Sequence, residues 1–193
     1  MSIPRRLRPS PAWAHATGAI ALTGGTTGID TRTDLAERLY RYCWSYDERR
    51  VELLADCFTA DAVWRGSVMG ETVVGPHVGR ENVIQWLTGF WEHQRDQRRH
   101  VITNLIIERH DDESATCLAY LLLLGSKRAA VALESAGIYR VDLRREADAW
   151  RICRLDAAFD VPFWKQEVQD MEQWVRDLFG ITHHETVTPE SLP

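Results

Sequence analysis

Asp47 and His100 are the residues of this chain best suited to move a proton. Each is a separate candidate, since a carboxylate or an imidazole set in a cavity can serve as a general acid or base. Asp47 closes an aromatic-rich segment, Tyr40, Tyr42, Trp44 and Tyr46. A carboxylate at a helix C-terminus is disfavoured by a few tenths to about 1 kcal/mol, which asks for a compensating role. Capping a following helix would be one such role, and it is compatible with catalysis. His100 opens a β-rich run. With a two-residue period, His100, Ile102, Asn104 and Ile106 share one face, and Val101, Thr103, Leu105 and Ile107 the other. A histidine and an asparagine two steps apart on an otherwise apolar face predict polar groups set in a cavity. A hydrogen-bonded, inert histidine at a strand start fits the same pattern.

Other chemistries find less support. Cys43, Cys57, Cys117 and Cys153 are evenly spread with no C-x-x-C pair, so they read as buried reduced thiols of a cytoplasmic protein. No H-x-H or H-E-x-x-H spacing occurs, and no metal is expected. His77 falls in a loop near Pro76, His93 among arginines and His110 at a turn. The glycine-rich stretch from Thr23 to Gly28 follows no strand and is not G-x-G-x-x-G, so no dinucleotide cofactor is expected. No serine stands in G-x-S-x-G. Ser135 and Gly137 share a strand face with Tyr139 and would leave room above a sheet.

The elements that must position these groups follow from periodicity. A helix begins near Thr33 and Asp34, with Leu35, Leu39, Tyr42, Cys43 and Tyr46 at helical spacing and a capping-box-like Asp34 and Glu37. A second helix is expected over Glu48 to Phe58, a hairpin over Gly66 to Gly75, and a third helix from Gly79 carrying Val83, Trp86, Leu87 and Phe90. After Arg99 the pattern becomes strands: His100–Glu108, Ala115–Leu124, Val131–Leu143 and Trp150–Phe159. Ala115 to Leu124 is apolar on both faces, as in a central strand. Pro162 leads into an amphipathic helix that Gly180 ends. Helices followed by a long-stranded meander predict an α+β fold.

Composition bounds the rest. The chain has 193 residues, 45% of them apolar and 26% charged, with a net charge of −5. That suits one domain with a sizeable core. The charge argues against a nucleic-acid partner, and the absence of a long apolar run argues against a membrane span. Eight tryptophans predict an aromatic-lined cavity or a packed interface. The organisation expected is a flexible arm over 1–30, a catalytic domain over 31–160, a terminal helix over 161–180 serving as lid or interface, and a tail over 181–193. Arg5, Arg6 and Arg8 precede a small-residue stretch with only Ile20 and Leu22 as large aliphatics, a poor signal-peptide core.

Four segments in order carry a resemblance: Tyr46-Asp47, Phe58 to Trp64, Gly79-Arg80-Glu81, and His100 to Asn104. Over roughly residues 33 to 160 the chain resembles the SnoaL-like group of the nuclear-transport-factor-like superfamily, and within it scytalone dehydratase, bile acid dehydratase and hexachlorocyclohexane dehydrochlorinase. The resemblance implies a cone-shaped α+β barrel, its curved mixed sheet wrapped around N-terminal helices and enclosing an apolar pocket. It implies Asp47 and His100 as the general-base pair, with Tyr46 and Tyr42 as active-site tyrosines. Trp64, Trp86 and Phe159 are expected as pocket walls, and Asn104 as a polar contact. Scytalone dehydratase has a second pocket histidine that Ala115 to Leu124 lacks, and Tyr120 is the residue that would stand in for it.

The expected activity is a cofactor-independent, dehydratase-like elimination on a small, largely apolar cyclic molecule. Alternatives in the same fold are a non-catalytic ligand-binding or assembly module, a polyketide cyclase or isomerase, and an epoxide hydrolase using Asp156 or Asp160. A homo-oligomer, trimer or dimer, is expected by the same resemblance.

Overall fold

The structure is a computed structural model that describes residues 31–70, 72–127 and 129–161. The expected arm, terminal helix and tail lie outside the described residues, apart from Val161.

The first helix, α1 (Thr31–Asp47), runs two residues further back than expected, so Asp34 lies in its first turn rather than at its cap. Leu35, Leu39, Tyr42 and Cys43 recur at helical spacing and are buried. The next helix, α2 (Val51–Asp56), is a short helix with Arg50 at its N-cap. Asp47 therefore ends α1 and caps nothing. A third helix, α3 (Arg80–Gly89), and a single 3-10 turn (Phe90–Glu92) complete the helical part.

Six strands follow from the alternation in sequence: β1 (Phe58–Val68), β2 (Thr72–Val78), β3 (Gln97–His110), β4 (Ser114–Lys127), β5 (Ala130–Glu146) and β6 (Ala149–Phe159). They form one mixed sheet in the order β2-β1-β6-β5-β4-β3. Only β1 and β6 pair in parallel; the rest are antiparallel. The sheet is unclosed, with β2 and β3 as its edges. The α+β architecture read from the sequence is thus the architecture observed.

The sheet's inner face packs on the helices. Leu54, Phe58, Ala62, Val83, Ile152 and Leu155 are wholly buried. On β4 Ala115, Cys117, Ala119, Leu121 and Leu123 are buried on one face, whereas on the other Tyr120 and Leu122 are exposed and Thr116 is buried. Gly66 has a local reason. A Cβ there would come within 2.8 Å of the Trp64 ring, so the glycine lets that indole lie against the sheet.

Candidate active site

The end of α1 and the start of β3 meet at Asp47 and His100. Nδ1 of His100 lies 2.6 Å from Oδ1 of Asp47, and the His100 backbone N–H donates to Oδ2 at 2.7 Å. One residue thus occupies both carboxylate oxygens. The side chains are 6% exposed for Asp47 and 8% for His100. A carboxylate only accepts, so the Nδ1 proton belongs on the ring nitrogen facing it. Nε2 makes no hydrogen bond among the described residues. The arrangement leaves a lone pair on Nε2 and a buried negative charge behind the ring. That geometry can accept a proton and stabilise the imidazolium formed.

Tyr46 stands edge-on to the imidazole, with ring centroids 5.2 Å apart at 81°. Its other neighbour is Trp91, at 5.7 Å. Tyr42, one helical turn earlier, is 2% exposed and packs edge-on against Phe58 and Tyr139. Its hydroxyl lies beside Tyr139 and Trp64. Burial pushes both phenols above their ordinary range; for Tyr46, Arg98 opposes the shift. Both therefore stay protonated at neutral pH and are suited to donate rather than to abstract.

Trp64 and Trp86 pack together at 5.7 Å, and Phe90 meets Trp86 edge-on at 4.9 Å. Phe159 is buried on β6 and pairs with Gly137, which pairs with Leu121, which pairs with Ile102. That register puts Phe159 three strands from β3, about 14 Å across the sheet. Of the expected set, Trp64 and Phe159 thus lie on the inner face of the sheet, and Tyr42, Tyr46 and Trp86 on the helices packed against it.

Asn104 and Tyr120 are not brought to this face. Asn104 adopts φ +53° at a β-bulge, where Thr103 pairs with Tyr120 but Ile106 already pairs with Leu118. The extra residue reverses the alternation. Leu105 turns inward at 9% exposure, and Asn104 and Ile106 are exposed. Tyr120 points to the outer face, 52% exposed, beside Ile138. Asp156 pairs with Arg65 and Arg154, and Asp160 is exposed, so neither forms a carboxylate site for activating water beside His100. Ser135 donates to the carbonyl of Val161 at 2.6 Å.

One inner-face histidine had no sequence signal. His77 is on a strand, not in a loop. It pairs with Trp64 across β1 and β2 and stacks on Trp86 at 4.2 Å and 14°. Only the hairpin register reveals it. Burial pushes its imidazole down, away from the charged form. The cysteines are poor nucleophiles, since burial pushes the Cys57 and Cys117 thiols up to about 11 and raises Cys43 as well. Among the described residues no three His, Cys, Asp or Glu side chains cluster as metal ligands, and no helix is long and apolar enough to cross a membrane.

An α+β fold of this topology is the class that comparison with known proteins also gives. The chain belongs to the SnoaL-like domain family, whose profile matches residues 28–156. Among solved structures it is similar to a Catenulispora acidiphila protein determined in complex with S-DNPA, at 28% identity and a TM-score of 0.58, covering 67% of this chain and 92% of that one. It is also similar to Aln2 from a Streptomyces species, at 20% identity and a TM-score of 0.59, covering 69% and 94%. An NTF2-like protein with a cystatin-like fold from Novosphingobium aromaticivorans matches at 17% identity and a TM-score of 0.57, covering 72% and 84%. The last two likenesses speak to fold alone. No curated protein matches the chain.

Proposed function

We propose that the protein is a cofactor-independent lyase of the dehydratase type. In this reading Nε2 of His100 removes a proton from a carbon next to a leaving group. Asp47 holds the imidazole and balances its charge, and Tyr46 donates to a carbonyl or departing oxygen. Tyr42 supports Tyr46 from the preceding turn. The aromatic side chains Trp64, Trp86 and Phe159 favour a small, largely apolar cyclic substrate. The observation that carries the reading is the 2.6 Å contact of Nδ1 with Asp47, which leaves Nε2 as the one open ring nitrogen.

The same base returning its proton elsewhere would isomerise or cyclise, so the test separates proton abstraction from its outcome. Cyclic ketones with a β-hydroxyl or β-halide are incubated in deuterium oxide. Deuterium entering recovered substrate reports abstraction, and release of water or halide reports elimination. His100→Ala is expected to lower both by about 10²–10⁴-fold, the usual contribution of a positioned general base. Rates in His100→Ala equal to those of the wild type would sink the proposal.

A further inference from the structure

Two acidic residues in succession end the first helix, and the chemistry above uses only Asp47. Glu48 follows it. The last turn of α1 holds no basic residue, so the helix itself offsets neither carboxylate at the negative end of its dipole. Glu48 finds its counter-charge on the strand. Nη1 of Arg99 lies 3.2 Å from its Oε1, and the Glu48 side chain is only 7% exposed. Its Oε2 is buried with no hydrogen-bond partner among the described residues. Burial raises the Glu48 carboxyl and Arg99 opposes that rise. A half-satisfied buried carboxylate is a poor way to gain stability. Its place in the fold suggests another use.

Asp47 and Glu48 are neighbours where α1 ends, and Arg99 and His100 are neighbours on the strand. The two pairs join side by side. The strand they hold, β3, is an edge strand whose one strand partner among the described residues is β4. Its free side is held by the helix end instead. Gln97 donates to the backbone carbonyl of Asp47 at 3.0 Å, and Arg49 donates to the carbonyl of Gln94 at 3.3 Å. Asp47 grips the ring and the backbone of one residue, so a slide of that residue by about 1 Å carries both bonds outside the productive range.

We propose that the Glu48–Arg99 pair is a positioning device, which pins the start of β3 to the end of α1 so that His100 meets both oxygens of Asp47. The inference rests on the reading of Asp47 and His100 as the base pair. Neither Glu48 nor Arg99 is asked to touch substrate.

The test needs no substrate. In full-length protein labelled with ¹⁵N in its histidines, two-bond nitrogen–proton spectra show which ring nitrogen of His100 carries the proton. A His100→Gln variant assigns the signal. The wild type is expected to show one tautomer, protonated on Nδ1. Glu48→Ala and Arg99→Met are each expected to raise the Nε2-protonated share at least about tenfold. Glu48→Gln can still accept from Arg99 and should keep the wild-type spectrum. Asp56→Ala breaks a different ion pair, Arg38 to Asp56 at 3.1 Å, and serves as control. It should lower the melting temperature and leave the His100 signal alone. A wild-type spectrum in both Glu48→Ala and Arg99→Met overturns the proposal, whatever happens to the melting temperature. A His100 signal disturbed as strongly by Asp56→Ala also overturns it. If Glu48→Ala does not fold, Arg99→Met decides, since that side chain is 32% exposed. A wild type lacking the Nδ1 proton would refute the base-pair reading itself, and this proposal with it.

Discussion

Replacing Asp47 by asparagine changes one atom and should disable the site. The carboxylate accepts twice from His100, from Nδ1 at 2.6 Å and from the backbone N–H at 2.7 Å. An amide has one acceptor and one donor group. If its NH₂ faces the backbone N–H, two donors meet, at a cost of about 1–3 kcal/mol for an unsatisfied buried group. If its NH₂ faces the ring, Nδ1 must accept, and the proton moves to Nε2. The second arrangement satisfies every group and is the one expected. It occupies the lone pair that is meant to take the substrate proton. Reaching the productive tautomer then costs that same 1–3 kcal/mol, about 5- to 150-fold in population. Loss of the negative charge behind the imidazolium adds to this. The expected fall in kcat/KM is about 10²–10⁴-fold, with the fold intact by circular dichroism. The assay is initial elimination rate on the best substrate from the panel above, paired with the His100 nitrogen spectrum. A variant within about threefold of wild type, with its proton moved to Nε2, would refute the reasoning.

Tyr46→Phe should lose about tenfold in kcat/KM, the worth of one hydrogen bond of about 1.5 kcal/mol in the transition state. Burial keeps the Tyr46 phenol above its ordinary range, so rate measurements up to about pH 10 should show no basic limb from its ionisation. Asp56 should contribute to acid sensitivity. Burial alone would raise its carboxyl, but Arg151 and Arg38 outweigh burial and hold it below the usual range. A depressed native value means stability that is present above about pH 4 and lost as pH falls through the native value. Melting temperatures from about pH 5 to about pH 2 should therefore fall less steeply in Asp56→Asn than in wild type. The four thiols should react slowly with a disulfide reagent at neutral pH in the native state and fully in denaturant, since burial raises all four.

Much of this was legible in the residues, and the failures have physical causes. Periodicity found α1 because Leu35, Leu39 and Tyr42 face one way. It locates β4 but cannot orient it, since both faces read as apolar, and Tyr120, expected in the pocket by resemblance, is on the outer face. Asn104 was misplaced by a bulge that no two-residue rule can foresee, although an asparagine at positive φ is a usual sign of one. Asp47 and His100 stand 53 residues apart. Their pairing came from the ordered motifs and not from local pattern. His77, and the link from Glu48 to Arg99, depend on strand register and an edge position, and nothing short-range encodes either.

The double grip of Asp47 on a single residue also bears on protein engineering. A carboxylate that holds a histidine by ring and by main chain measures the ring against that residue's own backbone. The working unit is therefore portable: one helix end, one strand start, and a fixed offset between them. A scaffold that reproduces only those two segments would inherit the imidazole's orientation, whatever aromatic walls are later built around it.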